Sequence, residues 1–227
     1  MKIVLTGATG FAGGEVLRQA LADPGITQVT VLTRRTLGFA HPRLREIVRE
    51  DFLDYSDLDL SGHGACIWCL GVSQAQAREA QYIRITLDYT LAAARALFAA
   101  NPGLRFCFVS GRSADPTEQR RSLFARIKGR TERLLTELGA AQGGQVFILR
   151  PGYIRPTART GPRRDIGRWL APVGTLLSWW SDDYSVDCDQ FARCLLGVAC
   201  QGADHALWTN SELRAWAPLA SVEARHG

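Results

Sequence analysis

No run of apolar residues in this sequence reaches the roughly 20 residues that a membrane-spanning helix needs. Lysine is scarce, since Lys2 and Lys128 are the only two, and the net charge of +5 therefore comes from arginines scattered along the chain. A zinc-finger spacing and an RNP1 string are both absent, which argues against nucleic acid as a partner. Met1 leads directly into an apolar segment without the pattern of a signal peptide. These absences predict a cytoplasmic protein with neither a membrane nor a nucleic-acid partner.

Cysteine pairs of the kind that hold zinc or crosslink secreted domains are also missing. The six cysteines include one C-x-x-C spacing, at Cys66 and Cys69, but no second cysteine pair or histidine pair completes a metal site. The run from Ala65 to Leu70 is typical of a buried strand, whose alternation points these two side chains to opposite faces. We therefore favour a structural role over a redox or zinc-binding role, and predict no metal and no disulfides.

Short apolar runs alternate with longer amphipathic stretches as far as about residue 150. The predicted strands are Lys2 to Thr6, Gln28 to Leu32, Leu44 to Val48, Ala65 to Leu70, Arg105 to Ser110 and Gln145 to Leu149. The predicted helices are Phe11 to Ala22, Arg78 to Ala100 and Glu118 to Leu138. This alternation predicts an α/β fold with a Rossmann-type doubly wound parallel sheet, whose ligands lie outside the carboxyl ends of the strands.

A glycine-rich turn, Gly7-Ala8-Thr9-Gly10-Phe11-Ala12-Gly13, lies between the first predicted strand and the first predicted helix. Glycines at such a place allow a tight turn and a close approach of the backbone to a pyrophosphate, while N–H groups at the helix N-terminus meet the phosphates. The G-x-x-G-x-x-G spacing is one residue longer than the G-x-G-x-x-G fingerprint. We predict that Gly7, Thr9, Gly10, Phe11, Ala12 and Gly13 bind a dinucleotide.

The end of the second predicted strand indicates which dinucleotide this is. An NAD-selective site places an acidic residue there for the ribose 2′-hydroxyl, but this chain has Arg34 and Arg35. Two guanidiniums suit a 2′-phosphate, because arginine offers a planar fork of donors to phosphate oxygens. We therefore favour NADP over NAD, although both arginines are also compatible with ordinary surface positions. Asp51 is a candidate acceptor for the adenine amino group or simply an exposed acid.

The sequence changes character after Arg150, with several prolines, a tryptophan-rich stretch and a predicted helix from Asp187 to Cys200. We predict one domain spanning 1–227, in which residues 151–227 form a small appended lobe over the cofactor cleft. Trp169, Trp179 and Trp180 fit either a helix packed on the core or a wall of a substrate pocket or partner surface.

Four segments of the chain carry a resemblance to a known family. They are Thr6-Gly7-Ala8-Thr9-Gly10-Phe11-Ala12-Gly13, Cys69-Leu70-Gly71, Phe108-Val109-Ser110 and Leu149-Arg150-Pro151-Gly152. Together they resemble the short-chain dehydrogenase/reductase superfamily in its extended or atypical branch, and within it the NAD(P)-binding oxidoreductase group that includes the Tat-interacting proteins. The resemblance implies that Leu70 and Gly71 lie beside the cofactor ribose. It also implies that Pro151, Gly152 and Tyr153 pass near the nicotinamide.

The family's catalytic pattern is Y-x-x-x-K on a helix, together with a serine from the end of the fifth strand. The corresponding segment here begins with Phe124 and ends with Lys128, so the phenol that normally donates a proton is missing. The resemblance implies a cofactor role for Lys128 and matches Ser110 to the strand-end serine, with Ser113 close enough to compete. Tyr153 is a hypothetical replacement for the missing donor.

Two functions therefore remain open at this stage. The first is an NADP(H)-dependent oxidoreductase that acts on an unidentified small carbonyl or alcohol. The second is an NADP(H)-sensing or partner-binding protein with weak or no turnover, which the missing tyrosine favours. A sugar-nucleotide epimerase or dehydratase is a weaker third, because the chain is short for the substrate lobe of such enzymes. The sequence is compatible with a monomer or a homodimer.

Overall fold

Seven parallel strands form the main sheet of the computed structural model, which describes residues 1–72, 77–158 and 184–217. They are β1 (Lys2–Thr6), β2 (Gln28–Thr33), β3 (Leu44–Val48), β4 (Ala65–Trp68), β5 (Arg105–Val109), β6 (Gln145–Leu149) and β9 (Leu207–Trp208). The order across the sheet is β3-β2-β1-β4-β5-β6-β9, so the direction of winding reverses between β1 and β4. Ligands of such sheets bind at this reversal, outside the carboxyl ends of the strands. The predicted Rossmann-type α/β fold is confirmed.

Helices cover both faces of the sheet. They are α1 (Phe11–Ala22), α2 (Glu79–Ile83), a π-helical turn (Arg84–Asp88), α3 (Tyr89–Ala100), α4 (Leu123–Gln142), α5 (Cys188–Gln201) and α6 (Asn210–Ala215). Helices α1 and α5 pack together on one face, and α3 and α4 on the other, each pair with its own buried apolar cluster. Strands β1, β2, β4 and β5 are largely buried on both faces, which explains their apolar sequences, whereas β3 at the edge of the sheet is only partly buried.

Strands β1, β3 and β6 and helix α1 have the predicted bounds, whereas α4 begins five residues later than the predicted start at Glu118. The side chain of Asp115 accepts hydrogen bonds from three backbone N–H groups between Thr117 and Arg120, which holds this segment in a turn. Ser122 then caps the helix by accepting from the N–H of Ala125 at 3.4 Å. The predicted helix start was wrong because a local side-chain bond competes with the helix.

Residues that follow Pro151 divide between two sheets. Strand β7 (Tyr153–Arg155) pairs with β8 (Ser185–Asp187) in a small parallel sheet, while β9 joins β6 and α5 packs on α1, β4 and β5. The tail therefore contributes a strand and a helix to the main layers. The stretch with Trp169, Trp179 and Trp180 lies outside the described residues, so a lobe over the cleft stays a prediction.

The two C-x-x-C cysteines lie on opposite faces of the sheet, as the strand alternation predicted. Cys66 belongs to the cluster under α3 and α4, and Cys69 packs against the cluster under α1 and α5. Both are free thiols. Across the three described ranges, no group of histidine, cysteine or acidic side chains is arranged to hold a metal ion. The helices in the same ranges include none that is long and apolar enough to cross a membrane.

Candidate cofactor and active site

The glycine-rich turn between β1 and α1 has a geometry that only glycine allows at two positions. Gly7 has a φ of +68°, and a Cβ added there would lie 2.5 Å from the carbonyl oxygen of Cys69. A Cβ on Gly13 would lie 2.2 Å from the carbonyl oxygen of Gly7. Side chains at these positions would collide with backbone, so α1 can start close to the ends of β1 and β4 only because both residues are glycine.

The N-terminus of α1 points from this turn toward the edge of the sheet where ligands bind. Gly10 is its N-cap, and the helix has neither a side-chain cap nor an acidic residue in its first turn. Early N–H groups of a helix lack partners within the helix and carry partial positive charge, so this end favours an anion such as a pyrophosphate. Thr9 is exposed and Phe11 and Ala12 are half-buried, which places the predicted binding turn at the surface.

The end of β4 lies directly beside the turn. The hydroxyl of Thr6 accepts a hydrogen bond from the backbone N–H of Leu70 at 3.1 Å. A Cβ on Gly71, unlike one on Gly7 or Gly13, would meet no atom within 4 Å. No contact among the described residues therefore requires glycine at this position, and the open space beside it fits a cofactor ribose.

Arg34 and Arg35 follow β2 at the same edge of the sheet, and both are exposed. The hydroxyl of Thr33 donates to the carbonyl of Arg35 at 2.8 Å and so holds the turn that carries them. Neither guanidinium forms an ion pair with any described carboxylate. Asp51 is 55% exposed, and its carboxylate lies 3.5 Å from a guanidinium nitrogen of Arg84, so it is partly engaged within the protein.

Lys128 reaches from α4 to the end of β5. Its ammonium donates to the carbonyl of Val109 at 2.8 Å and lies 4.5 Å from the centre of the Phe108 ring. Burial lowers the pKa of Lys128 to about 8, against the opposing effect of the nearby Glu132 carboxylate. The lysine is thus buried at the end of β5, the strand next to β4, after which the resemblance implies that the ribose lies.

A buried ion pair, which the sequence patterns did not predict, lies beside Lys128. Arg150 donates to both carboxylate oxygens of Glu132, from Nε at 2.9 Å and from Nη2 at 2.5 Å. The hydroxyl of Ser110 donates to the same carboxylate at 2.5 Å. Because a hydroxyl has one proton, Ser110 in this arrangement can only accept a hydrogen bond from a ligand. The sequence feature that indicates this contact is the spacing of Lys128 and Glu132, which lie one helical turn apart on α4.

Phe124 occupies the helix position where the family pattern has tyrosine. Its ring packs beside Gly111, where an added Cβ would lie 2.7 Å from the ring atom Cζ. The Phe124 ring also lies near the ring of Tyr82, with the ring centres 6.3 Å apart. Ser113 is exposed, whereas Ser110 is buried and bonded to Glu132. The structure thus brings Ser110, Lys128 and Phe124 together.

The segment after β6 is held in place by its backbone. The carbonyl of Pro151 accepts from the N–H of Arg112 at 3.0 Å, and the N–H of Gly152 donates to the side chain of Asn210 at 2.8 Å. A Cβ on Gly152 would lie 2.1 Å from the carbonyl oxygen of Tyr184, so this glycine permits close backbone packing. Tyr153 begins β7 and is half-buried.

These features define an NAD(P)-binding Rossmann protein of the short-chain dehydrogenase/reductase type. They are the parallel sheet with its winding reversal, the glycine turn at the N-terminus of α1 and the buried lysine at the same edge. Residues 3–165 match the model of the NAD dependent epimerase/dehydratase family, and the chain belongs to that family.

Individual proteins of known sequence or structure are also similar to this chain. Protein HTATIP2 of Rattus norvegicus is 28% identical over 204 residues, which are 86% of this chain and 79% of the rat protein. Protein FMP52, mitochondrial, of Candida albicans is 28% identical over 160 residues, which are 68% of this chain and 67% of the fungal protein. Because this relative is named as mitochondrial, the predicted cytoplasmic location stays a prediction.

Among solved structures, the PhqB reductase domain from Penicillium fellutanum superposes with a TM-score of 0.70 at 17% identity. The match covers 89% of this chain but 65% of that domain, so the present chain spans just under two thirds of its length. At such low identity the likeness concerns the fold alone.

Proposed function

We propose that this protein binds NADP(H) at the carboxyl edge of the sheet and uses it as an oxidoreductase on a small carbonyl or alcohol. The observation that carries the proposal is the glycine turn, in which Gly7 and Gly13 let the N-terminus of α1 face the space beside Gly71. A pyrophosphate would meet backbone N–H groups there, and a ribose would lie within reach of Lys128.

The choice of NADP over NAD rests on Arg34 and Arg35, which are exposed at the end of β2 where an NAD-selective site has a carboxylate. Calorimetry with NADPH and NADH tests this choice on the wild type and on a variant with both arginines changed to alanine. We expect the variant to lose NADPH affinity by roughly tenfold or more, since charge-assisted bonds to phosphate are lost, and to keep its NADH affinity. Arg95, an exposed arginine on α3, gives the control Arg95→Ala. Tighter binding of NADH than NADPH by the wild type would contradict the choice.

When bound, the cofactor supplies or accepts a hydride. The residues of this chain then have separate tasks: Lys128 holds the ribose, and Ser110 accepts a hydrogen bond from an alcohol or another donor on the substrate. Tyr153, at the start of β7, is the proposed proton donor in place of the missing phenol. A Tyr153→Phe variant with unchanged turnover would remove it from this role.

The absence of a hydroxyl at Phe124 favours a second candidate, an NADP(H)-sensing or partner-binding protein with weak turnover. General acid catalysis is typically worth about 10²–10⁴-fold, so its loss would leave a slow enzyme or none. NADPH consumption with a broad panel of carbonyl compounds, for the wild type and Phe124→Tyr, separates the two. An inert wild type and an active Phe124→Tyr variant would favour sensing, whereas rapid wild-type turnover would favour the oxidoreductase.

A further inference from the structure

The loop between β5 and α4 carries more positive charge than its own acids can balance. Three arginines of this loop, Arg112, Arg120 and Arg121, form no ion pair with a described carboxylate. Arg126, in the first turn of α4, has its guanidinium bound to the backbone carbonyls of Arg120 and Arg121. Glu118 is already shared between Arg130 and Arg133 of α4, and the hydrogen bond from Arg130 lowers the pKa of Glu118. Asp115 is occupied by hydrogen bonds from Thr117 and from backbone N–H groups, which lower its pKa. The loop therefore presents a positive surface at the edge where substrate would enter.

Arg112 differs from the other loop arginines because it is held in a defined position. Its backbone N–H donates to the carbonyl of Pro151 at 3.0 Å. Its guanidinium lies over the ring of Tyr184, 3.7 Å from the ring centre. A guanidinium stacked on an aromatic face keeps its N–H groups at the edge of the plane, where they can still donate to a ligand. Both side chains are exposed, so the stacked pair is open to solvent.

This stacked pair lies between the two segments that flank the proposed reaction centre. Arg112 comes two residues after Ser110 in the chain, and Gly111 between them packs against Phe124. The carbonyl of Tyr184 packs against Gly152, in the segment that the family resemblance brings near the nicotinamide. Both flanking segments therefore place the stacked pair next to the proposed reaction centre.

We propose that the substrate carries a carboxylate or phosphate group, and that Arg112, stacked on Tyr184, binds this anion. The proposal rests on the proposed oxidoreductase function and adds the class of substrate. A guanidinium fork matches the two oxygens of a carboxylate or phosphate, and the unbalanced charge of the loop strengthens the attraction. An uncharged substrate of the same shape gains neither contribution.

A matched pair of aldehydes tests the proposal through NADPH consumption. 4-Formylbenzoate carries the anion, and methyl 4-formylbenzoate has the same reacting group without the charge. We expect wild-type kcat/KM to favour the acid, and Arg112→Ala to lower kcat/KM for the acid roughly tenfold or more with little effect on the ester. Arg112→Lys should restore part of the preference, because it keeps the charge but not the planar fork. Arg95→Ala removes the same charge from α3 and should leave the preference intact.

A binding measurement keeps the test valid even without turnover. Ligand-observed NMR of the acid and the ester with NADP⁺-saturated protein should show the same preference and the same loss in Arg112→Ala. Equal binding of the two compounds by the wild type would overturn the proposal. So would an Arg112→Ala variant whose main defect is weaker NADPH binding, because Arg112 would then belong to the cofactor site. Failure of the wild type to bind NADPH at all, measured separately by calorimetry, would instead reject the proposed function.

Discussion

Replacing Glu132 with glutamine tests the buried ion pair that links helix α4 to the ends of β5 and β6. The substitution keeps the shape of the side chain and removes its charge. The Glu132 carboxylate now accepts two hydrogen bonds from Arg150 and one from Ser110, and the side chains of the pair are 5% and 19% exposed. The glutamine amide has a single acceptor oxygen for these donors, so part of the Arg150 guanidinium would stay buried without a partner.

Removing one partner of a buried pair costs about 3–5 kcal/mol, because the other charge stays uncompensated. Glutamine retains one acceptor, so we expect a loss near the lower limit, about 3 kcal/mol in the free energy of unfolding. For a chain of this size that corresponds to a fall of about 6–12 °C in the melting temperature. Adding Arg150→Met to the variant should recover part of the loss, since the unpaired charge is then absent.

Urea unfolding followed by circular dichroism measures these differences, provided that the m-value stays constant. Helix α4 offers a matched control in Glu137, whose side chain is 59% exposed and lies 3.3 Å from Arg133. Glu137→Gln should change the free energy of unfolding by less than about 1 kcal/mol, as expected for an exposed pair. If Glu132→Gln costs no more than Glu137→Gln, the buried pair does not have the role assigned to it.

Three further changes test the site. Gly71→Ala should change the free energy of unfolding by no more than about 0.5 kcal/mol, since a Cβ there meets no protein atom within 4 Å. The same Cβ should weaken NADPH binding in calorimetry, because it would occupy the proposed ribose space. Unchanged NADPH affinity would contradict the ribose position. Gly13→Ala should lower both the free energy of unfolding in urea and the affinity for NADPH, because its Cβ would lie 2.2 Å from the carbonyl oxygen of Gly7. Full NADPH affinity in this variant would contradict the proposal that the glycine turn binds the pyrophosphate. The pKa of Lys128 falls from 10.5 to about 8 in the folded protein. The unfolded chain therefore binds more protons at Lys128 between these pH values, and the contribution of Lys128 to stability should rise with pH there by at most about 3 kcal/mol. Buried thiols such as Cys107, whose pKa is raised by burial, contribute a fall in stability over the same range, so the Lys128 contribution is the difference between the wild type and a Lys128 variant. The difference in urea midpoint between the wild type and Lys128→Met should therefore shift in favour of the wild type as the pH rises, and a difference that does not change with pH would exclude Lys128 as its source.

Local sequence patterns were sufficient for strands β1 to β6, to within two residues at their ends, for the first helix and for the glycine turn between β1 and α1. Buried parallel strands such as β1 and β6 consist of apolar runs, and glycines at Gly7 and Gly13 are needed by the backbone itself. The strand patterns, the φ of Gly7 and the contact between Gly13 and Gly7 are local in the chain, so periodicity and residue type reveal them, whereas the packing of Gly7 on Cys69 joins distant residues. Helix α4 starts later than predicted because the side chain of Asp115 binds backbone N–H groups and holds a turn. The spacing of apolar residues does not show such a bond.

The amino-acid sequence by itself thus determined the fold class and the places of the glycine turn, Lys128 and Phe124 in the order of strands and helices. Only the tertiary structure decided that Glu132 joins Ser110 to Arg150, that β9 completes the main sheet, and that Arg112 stacks on Tyr184. Each of these contacts joins residues far apart in the chain. Their partners are set by how the strands order and the helices pack, and no local pattern of residue types encodes that order.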